Sequence, residues 1–363
     1  MAEPLKNVYS SAYIERLAAA IQASYPAFET APFCQAVFAD NWPTLELKAR
    51  MTRIRQCLHQ AIALPYADAI DVLWQPVQQF GSFEAMFFPE FIQAYGLDDW
   101  ETSMRALAWF TQFSSSEFAV RPFIEADTPR MMHQMQQWAA DDNYHVRRLA
   151  SEGCRPRLPW APALPAFKLD PTPIWPILQR LKCDPSDYVR RSVANNLNDI
   201  SKDHPEAVLD WCKQHRGQHA HTDWIIKHAC RGLLKASHPQ ALALFGYAAP
   251  THIAVDHFSV NPSRLHEGDE LTLSAELSSA QALGKLRCEY LIHYVKANGK
   301  TTAKVFILSE AEHQERHKRF QRKQSFVRMT TRRHYPGEHR IELRVNGRVL
   351  AATTVDVLAA DDS

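Results

Sequence analysis

The hydrophobic pattern of this 363-residue chain changes period near Pro250, and that change limits what it can fold into. Before it, apolar residues recur at intervals of three and four, which lines one face of an α-helix. Asp68-Ala-Ile-Asp-Val-Leu is one such segment, and Trp100 to Phe113 is another, bearing Met104, Leu107, Ala108 and Phe110. Pro43, Pro65, Pro129, Pro185, Pro205 and Pro239 stand between segments, where proline can begin a helix without breaking one. After Pro250 the runs are short and alternate, at Leu271–Leu277, Cys288–Val295, Lys304–Leu308, His339–Val345 and Thr353–Leu358. Alternation sends successive side chains to opposite faces of a strand. Asn298-Gly299 and Asn346-Gly347 are hairpin-turn pairs, and Pro336-Gly337 precedes a strand. About seven short strands over such a length fit a β-sandwich. The expected architecture is an all-α repeat solenoid over residues 1–248, followed by an all-β sandwich over 251–363.

The helical part repeats weakly. His145-Val-Arg-Arg-Leu-Ala150 resembles Tyr188-Val-Arg-Arg-Ser-Val193, 43 residues on, and Ile225-Ile-Lys-His-Ala-Cys230 is a fainter third copy 37 residues later. Periods of about 40–47 residues suit two- or three-helix units stacked as a solenoid. Asp141-Asp142-Asn143, Asp184-Pro185-Ser186-Asp187 and Thr222-Asp223 precede the copies as candidate helix caps. In the two clear copies the valine points to the core and the arginine pair toward an exposed face.

Charge is nearly balanced, with 41 Lys or Arg against 40 Asp or Glu, so the whole chain carries no pointer to a polyanion. Local fields decide steering, however. From Arg316 to Arg348 there are 11 Lys or Arg and two acids, Glu338 and Glu342, interleaved with Phe320, Phe326 and Tyr335. A solvated loop and a phosphate-contacting surface both fit this stretch; Arg316, Lys318, Arg319, Arg322, Lys323, Arg332 and Arg333 are the candidate contacts. The seven cysteines include no Cys-x-x-Cys pair, so free thiols in a reducing compartment are expected. No signal-peptide pattern and no apolar run of membrane-spanning length occurs, so a cytoplasmic protein without a membrane partner is expected. His215, His219 and His221 with Asp223 form the nearest metal-like cluster, but Gly217 interrupts it and no His-Glu-x-x-His is present. Neither a Gly-rich phosphate loop nor a Gly-x-Ser-x-Gly elbow occurs. No metal or other cofactor is expected.

The unusual polar residues lie at two helix ends. Ser114-Ser-Ser-Glu117-Phe118 follows an apolar helix, and Arg148 and Glu152 share a face four residues apart. Glu152 leads into Gly153-Cys-Arg-Pro-Arg-Leu-Pro-Trp160, a stiff turn carrying Arg155, Arg157 and Trp160. Spacing alone leaves these as either caps, surface pairs and packing residues or parts of a site.

The same residues carry a family resemblance. Ser115-Ser-Glu-Phe-Ala-Val-Arg-Pro-Phe123, His145 to Trp160 and Asp187 to Pro205 resemble the AlkC branch of the AlkC/AlkD alkylation-repair DNA glycosylases. The likeness spans roughly residues 5–248, and the C-terminal part resembles the immunoglobulin-like domain of one subset. The resemblance implies HEAT-like repeats whose basic cleft holds duplex DNA, and excision of cationic bases, 3-methyladenine and 3-methylcytosine. In the related branch the base is not flipped into a pocket, unlike the usual glycosylase pattern. Glu117 and Glu152 are similar to the family's paired active-site carboxylates. Phe118 and Arg148 are similar to its lesion-adjacent residues, and Trp160 to an aromatic wall. Arg147, Arg155, Arg157, Arg190 and Arg191 join the C-terminal cations as expected DNA contacts. The implied partner is duplex DNA, with no obligate protein partner; a monomer is expected, cytoplasmic and nucleoid-associated when bound. The rival reading is a non-catalytic HEAT-like scaffold that binds DNA or protein. It shares the basic face but needs no carboxylates beside a lesion.

Overall fold

The structure is a computed structural model that describes residues 3–328 and 333–359. Arg332, one of the expected DNA contacts, lies outside the described residues. The last helix is Pro239–Leu244 and the first strand Ala254–Asn261. By compactness the chain divides into two units. One holds residues 1–208 with Gln214–Ala229, the other Leu209–Lys213 with everything from Cys230 onward.

The first unit is a stack of helices. Helix Thr128–Trp138 packs on Tyr144–Glu152, that helix on Asp187–Ile200, and that in turn on Ala220–Ala229. The three repeat copies are therefore three consecutive layers. Val146, Val189 and Ile226 occupy matching places in the copies and are all buried. Small polar residues let the first two layers approach closely: the Ser151 and Ser192 hydroxyls are 2.5 Å apart, and the Asn196 amide donates to the Ser151 carbonyl at 2.8 Å. Asn143 caps its helix by accepting from the His145 N–H at 2.9 Å, and Asp184 accepts from Ser186 at 2.8 Å. The third turn departs from expectation. Its helix starts at Ala220, which puts Asp223 inside the first turn, where it accepts from Gly217 at 2.7 Å.

The repeat arginines also differ from the expected exposed pairs. Arg147 folds back onto the carbonyls of Asp141 and Asp142 at 3.0 and 2.8 Å, and its Nε donates to Asp184 at 2.7 Å. Arg190 does the same to the carbonyls of Asp184 and Pro185, at 2.9 and 2.7 Å. The preceding turn presents several acceptors within reach of one guanidinium fork, so the first arginine of each pair is spent on its own backbone. Arg191 is 61% exposed and pairs with Asp187 at 2.5 Å.

Among the described residues the second unit carries a sandwich of eight strands, against about seven expected. The strands are β1 (Ala254–Asn261), β2 (Arg264–His266), β3 (Glu270–Ser278), β4 (Gly284–Val295), β5 (Thr301–His313), β6 (His317–Ser325), β7 (Gly337–Val345) and β8 (Arg348–Leu358). One sheet runs β1-β3-β6 and the other β2-β8-β7-β4-β5, antiparallel except for β2 with β8. Leu271, Leu273, Tyr290, Ile292, Phe326 and Ile341 form part of the core between the sheets. Asn346 and Gly347 both take positive φ, 45° and 84°, the conformation a two-residue hairpin between twisted strands requires. The first part of the basic segment has become edge strand β6, and its last part lies in β7 of the other sheet. Strand β6 has a single large apolar residue, Phe320, and its place is set by pairing with β3, Glu276 opposite Arg319.

Candidate active site

The site is built where two layers of the helical unit end. Helix Trp100–Phe110 stops before Ser114-Ser115-Ser116, and helix Arg121–Ala126 begins just beyond. Buried Ser116 pins this joint by donating to the Leu107 carbonyl at 2.9 Å. That leaves Ser115, Glu117 and Phe118 half-buried on the turn. The next layer, Tyr144–Glu152, brings Arg148 and Glu152 to the same place from its last turns.

Arg148 bridges the two acids. Its Nη1 contacts the Glu117 carboxylate and donates to Ser115 Oγ at 2.9 Å, and its Nη2 lies 3.4 Å from Glu152 Oε1. Ser115 Oγ donates to Glu117 Oε2 at 2.9 Å. Beyond Glu152 the line of charge continues. Arg155 Nη1 donates to Glu152 Oε1 at 2.7 Å and its Nε to Asp199 Oδ2 at 2.9 Å; Lys202 Nζ reaches Asp199 Oδ1 at 3.1 Å. Six alternating charges thus connect three layers. Among the described residues, Glu117 Oε1 and Glu152 Oε2 accept no hydrogen bond. The Arg148 guanidinium lies over the Tyr188 ring, 4.7 Å from its centroid.

Burial works against the charge on Arg148, but the carboxylates of Glu152 and Glu117 more than offset it, and its pKa is raised. Arg155 is raised against burial in the same way, by Glu152 and Asp199. Neighbouring Cys154 is fully enclosed, and burial pushes its thiol up to about 12, so it is a neutral packing group rather than a nucleophile. Burial, with Arg148 nearby, lowers the pKa of His145.

The turn after Glu152 is held by two cations from elsewhere in the unit. Buried Arg121 donates to the carbonyls of Gly153, Arg155 and Pro162 at 3.1, 3.0 and 2.6 Å. Lys48, from helix Leu47–Ile62, donates to the Trp160 carbonyl and stands 4.7 Å from the Phe118 ring centroid. Trp160 has φ +65° and is 66% exposed, so its indole projects from the turn. Between these groups lies a recess of about 190 Å³, with Lys48, Met51, Thr52, Glu90, Phe118 and Trp160 among its walls. Among the described residues no group of three His, Cys, Asp or Glu is placed to hold a metal ion.

Residues 97–233 match the family model described as DNA alkylation repair enzyme, and residues 254–359 match that of the C-terminal Ig-like domain of the uncharacterised protein YhaZ. The chain is 44% identical over 346 residues to the uncharacterized protein YhaZ of Bacillus subtilis (strain 168), covering 95% of this chain and 97% of that protein. It is 39% identical to Pseudomonas fluorescens alkylpurine DNA glycosylase AlkC, solved bound to DNA containing an abasic site analog. That structure matches with a TM-score of 0.95, over 98% of this chain and 100% of the other. The chain belongs to the AlkC/AlkD-type DNA alkylation repair glycosylases.

In this AlkC/AlkD-type chain Glu117, Arg148 and Glu152 come together, while Phe118 and Trp160 stand on the recess instead of in the line of charge. Arg155 departs from its expected place among the phosphate contacts. Its side chain is 8% exposed and locked between Glu152 and Asp199, because one turn of chain carries it inward from Glu152. Arg157 makes a bidentate pair with Asp203, at 2.7 and 3.2 Å. On the sandwich, Lys318 pairs with Glu315 at 2.9 Å, Arg319 with Glu276, and Lys323 with Glu270 at 3.0 Å. Arg316, Arg322 and Arg333 are exposed. Sequence reasoning missed Lys48, Arg121, Tyr188 and Asp199. Arg121 lies inside the resemblance and starts a helix ahead of a proline, a hint of a fixed position; Lys48 has no local signal.

Proposed function

We propose that the chain is a monofunctional DNA glycosylase that hydrolyses the N-glycosidic bond of cationic N3-methylated bases, 3-methyladenine and 3-methylcytosine, in duplex DNA. The observation that carries this reading is the pair of carboxylates, Glu117 and Glu152. They come from different layers and are held by one arginine, and among the described residues neither Glu117 Oε1 nor Glu152 Oε2 accepts a hydrogen bond. The relative from Pseudomonas fluorescens, described as an alkylpurine DNA glycosylase and bound to DNA, supports it.

A base methylated at N3 carries a positive charge, so it leaves without prior protonation. The bond from C1′ to the base nitrogen breaks and its electron pair goes to the base, which departs neutral. The sugar is left as an oxocarbenium-like cation, and fixed carboxylates are worth most where that charge develops. Water then adds to C1′, and its proton passes to a carboxylate and on to solvent. Arg148 fixes the geometry of both acids, and Phe118 and Trp160 supply aromatic faces, worth about 0.5–2 kcal/mol each toward a cation. In this reading residues 1–248 do the chemistry, and the exposed cations of residues 251–363 hold phosphates.

Single-turnover release of 3-methyladenine, measured beside duplex affinity for Glu117→Gln and Glu152→Gln, tests the proposal. Glu152→Gln is expected to slow release about 100–1,000-fold, the cost of losing one transition-state electrostatic partner, with affinity within a few-fold of wild type. A non-catalytic scaffold predicts no release from the wild type at all, and equal loss of rate and binding removes the catalytic role.

A further inference from the structure

We infer that Cys212 and Cys230 form an oxidative modification site, at which hydrogen peroxide converts two free thiols into a disulfide within the chain. Nothing in this inference depends on the excision reading above. Both residues belong to the second unit. Cys212 lies in helix Pro205–His215, and Cys230 directly follows helix Ala220–Ala229. They are 18 residues apart, a separation that no Cys-x-x-Cys pattern marks.

Geometry comes first. The two Sγ atoms are 3.8 Å apart, close to van der Waals contact, and both residues are fully enclosed. A buried cysteine ordinarily packs as a small apolar side chain and has no need to face another. Cys154 is of that kind, with its Sγ 3.2 Å from the Ala150 carbonyl of its own helix. Cys212 and Cys230 instead present sulfur to sulfur. The closure to a bond is shared by two side chains, each turning about a single bond. The two sulfurs also differ in character. Burial raises the thiols of Cys57, Cys154 and Cys288. The Cys212 thiol, donating to its neighbour, holds Cys230 below its ordinary value and is itself raised by the same contact. Cys230 is thus the nucleophile and Cys212 the resolving partner beside it.

The chemistry balances with one hydrogen peroxide. The Cys230 sulfur gives up its proton and attacks one peroxide oxygen. An S–O bond forms, the O–O bond breaks, and the departing hydroxide takes that proton and leaves as water. The Cys212 sulfur then attacks the sulfenic sulfur. The S–S bond forms, the S–O bond breaks, and hydroxide leaves as water with the Cys212 proton. Two thiols lose two electrons between them, and one peroxide is reduced to two waters. Enclosure selects the oxidant. Hydrogen peroxide is little larger than water, whereas a peptide disulfide reaches the pair only when the segment opens. The product closes residues 213–229 into a loop. A loop of that length favours the folded state by about 100-fold, because the unfolded chain has lost freedom.

The test treats the whole, folded, reduced protein with hydrogen peroxide, removes the peroxide with catalase, and blocks the remaining thiols with a maleimide on unfolding. Peptide mapping is expected to join Cys212 and Cys230 in one linked peptide, two hydrogens lighter, with both thiols lost to the maleimide. Exposed Cys183 is the internal measure that the oxidant was active. Cys212→Ser is expected to leave a sulfenic acid on Cys230, captured by dimedone, in place of the linked peptide. Cys230→Ser is expected to leave Cys212 a free thiol. The linked protein should melt at a higher temperature than the reduced one. Oxidised Cys183 beside free Cys212 and Cys230 overturns the site, and so does sulfinic acid on Cys230 without a linked peptide. A linked protein that melts at or below the reduced one overturns the stabilising loop. Should a serine variant fail to fold, the wild-type map decides alone.

Discussion

Arg155→Met should destabilise the helical unit rather than weaken its grip on DNA. Arg155 is 8% exposed on its side chain and joins Glu152 at 2.7 Å to Asp199 at 2.9 Å, each of those acids being almost fully enclosed. Removing one partner of a buried pair costs about 3–5 kcal/mol when the other is left uncompensated. Here neither acid is left alone, since Arg148 stays 3.4 Å from Glu152 and Lys202 stays 3.1 Å from Asp199. The lower end of the range, about 3 kcal/mol, is therefore expected, which lowers Tm by about 6–12 °C for a unit of this size. Arg157 is the control. It sits on the neighbouring part of the same turn and pairs with Asp203, but a third of its side chain is exposed. Such a pair is worth at most about 1 kcal/mol, so Arg157→Met should shift Tm by less than about 4 °C. Thermal melts by circular dichroism measure both, and the dependence of duplex affinity on salt is recorded for each folded variant. A buried Arg155 leaves the salt slope unchanged. If Arg155→Met melts with wild type while its salt slope falls by about one, the residue is a surface phosphate ligand and the reasoning is wrong.

Gly153→Ala should cost about 1–3 kcal/mol and slow excision, because an added Cβ would stand 2.5 Å from Val120 Cγ2 and 3.0 Å from Met135 Cε and so displace the turn that carries Glu152; melts and single-turnover release check it. His339 is wholly buried in the sandwich, and burial lowers its pKa below the ordinary 6.5. The stability held by its neutral form is present above 6.5 and lost as pH falls through the lowered value, so Tm should drop on acidification and His339→Gln should flatten that drop.

The change of period near Pro250 made the two architectures readable, because helix and strand bury one face at different intervals. The repeat copies were readable for the same reason, as Val146 and Val189 must both meet a neighbouring layer. What failed was the reading of charge. Arg147, Arg155 and Arg190 look like free cations along the chain, yet each finds acceptors on the turn before its own helix or on the next layer. Strand β6 was hidden because pairing with β3 holds it, and Phe320 is its single large apolar residue. At the site, Glu117 and Glu152 were picked out by resemblance. Their meeting depends on Arg148, and the continuation to Asp199 spans 44 residues from Arg155, a separation at which no spacing rule operates.

The same correction applies to the basic stretch of the sandwich, and there it yields a number. In sequence the stretch offers seven candidate cations, but Lys318, Arg319 and Lys323 face Glu315, Glu276 and Glu270 across or along the sheet. A cation already paired with a carboxylate has little counterion to release when a phosphate arrives, since the carboxylate has already displaced it. Arg316, Arg322 and Arg333 carry no ion pair among the described residues, and Arg333 lies over the Tyr335 ring at 5.5 Å. Each phosphate contact contributes about −0.9 to the slope of log affinity against log salt. Replacing Arg316, Arg322 and Arg333 together by glutamine should therefore flatten the slope by about 2.7 if all three meet phosphates. Replacing Lys318, Arg319 and Lys323 should flatten it by much less, although it unmasks three acids and lowers affinity. The two triple variants, measured by fluorescence anisotropy on one duplex across a salt series, separate the cases. An equal flattening by both would mean that the ion pairs of the sheet open on binding, and that the paired cations serve DNA as freely as the unpaired ones.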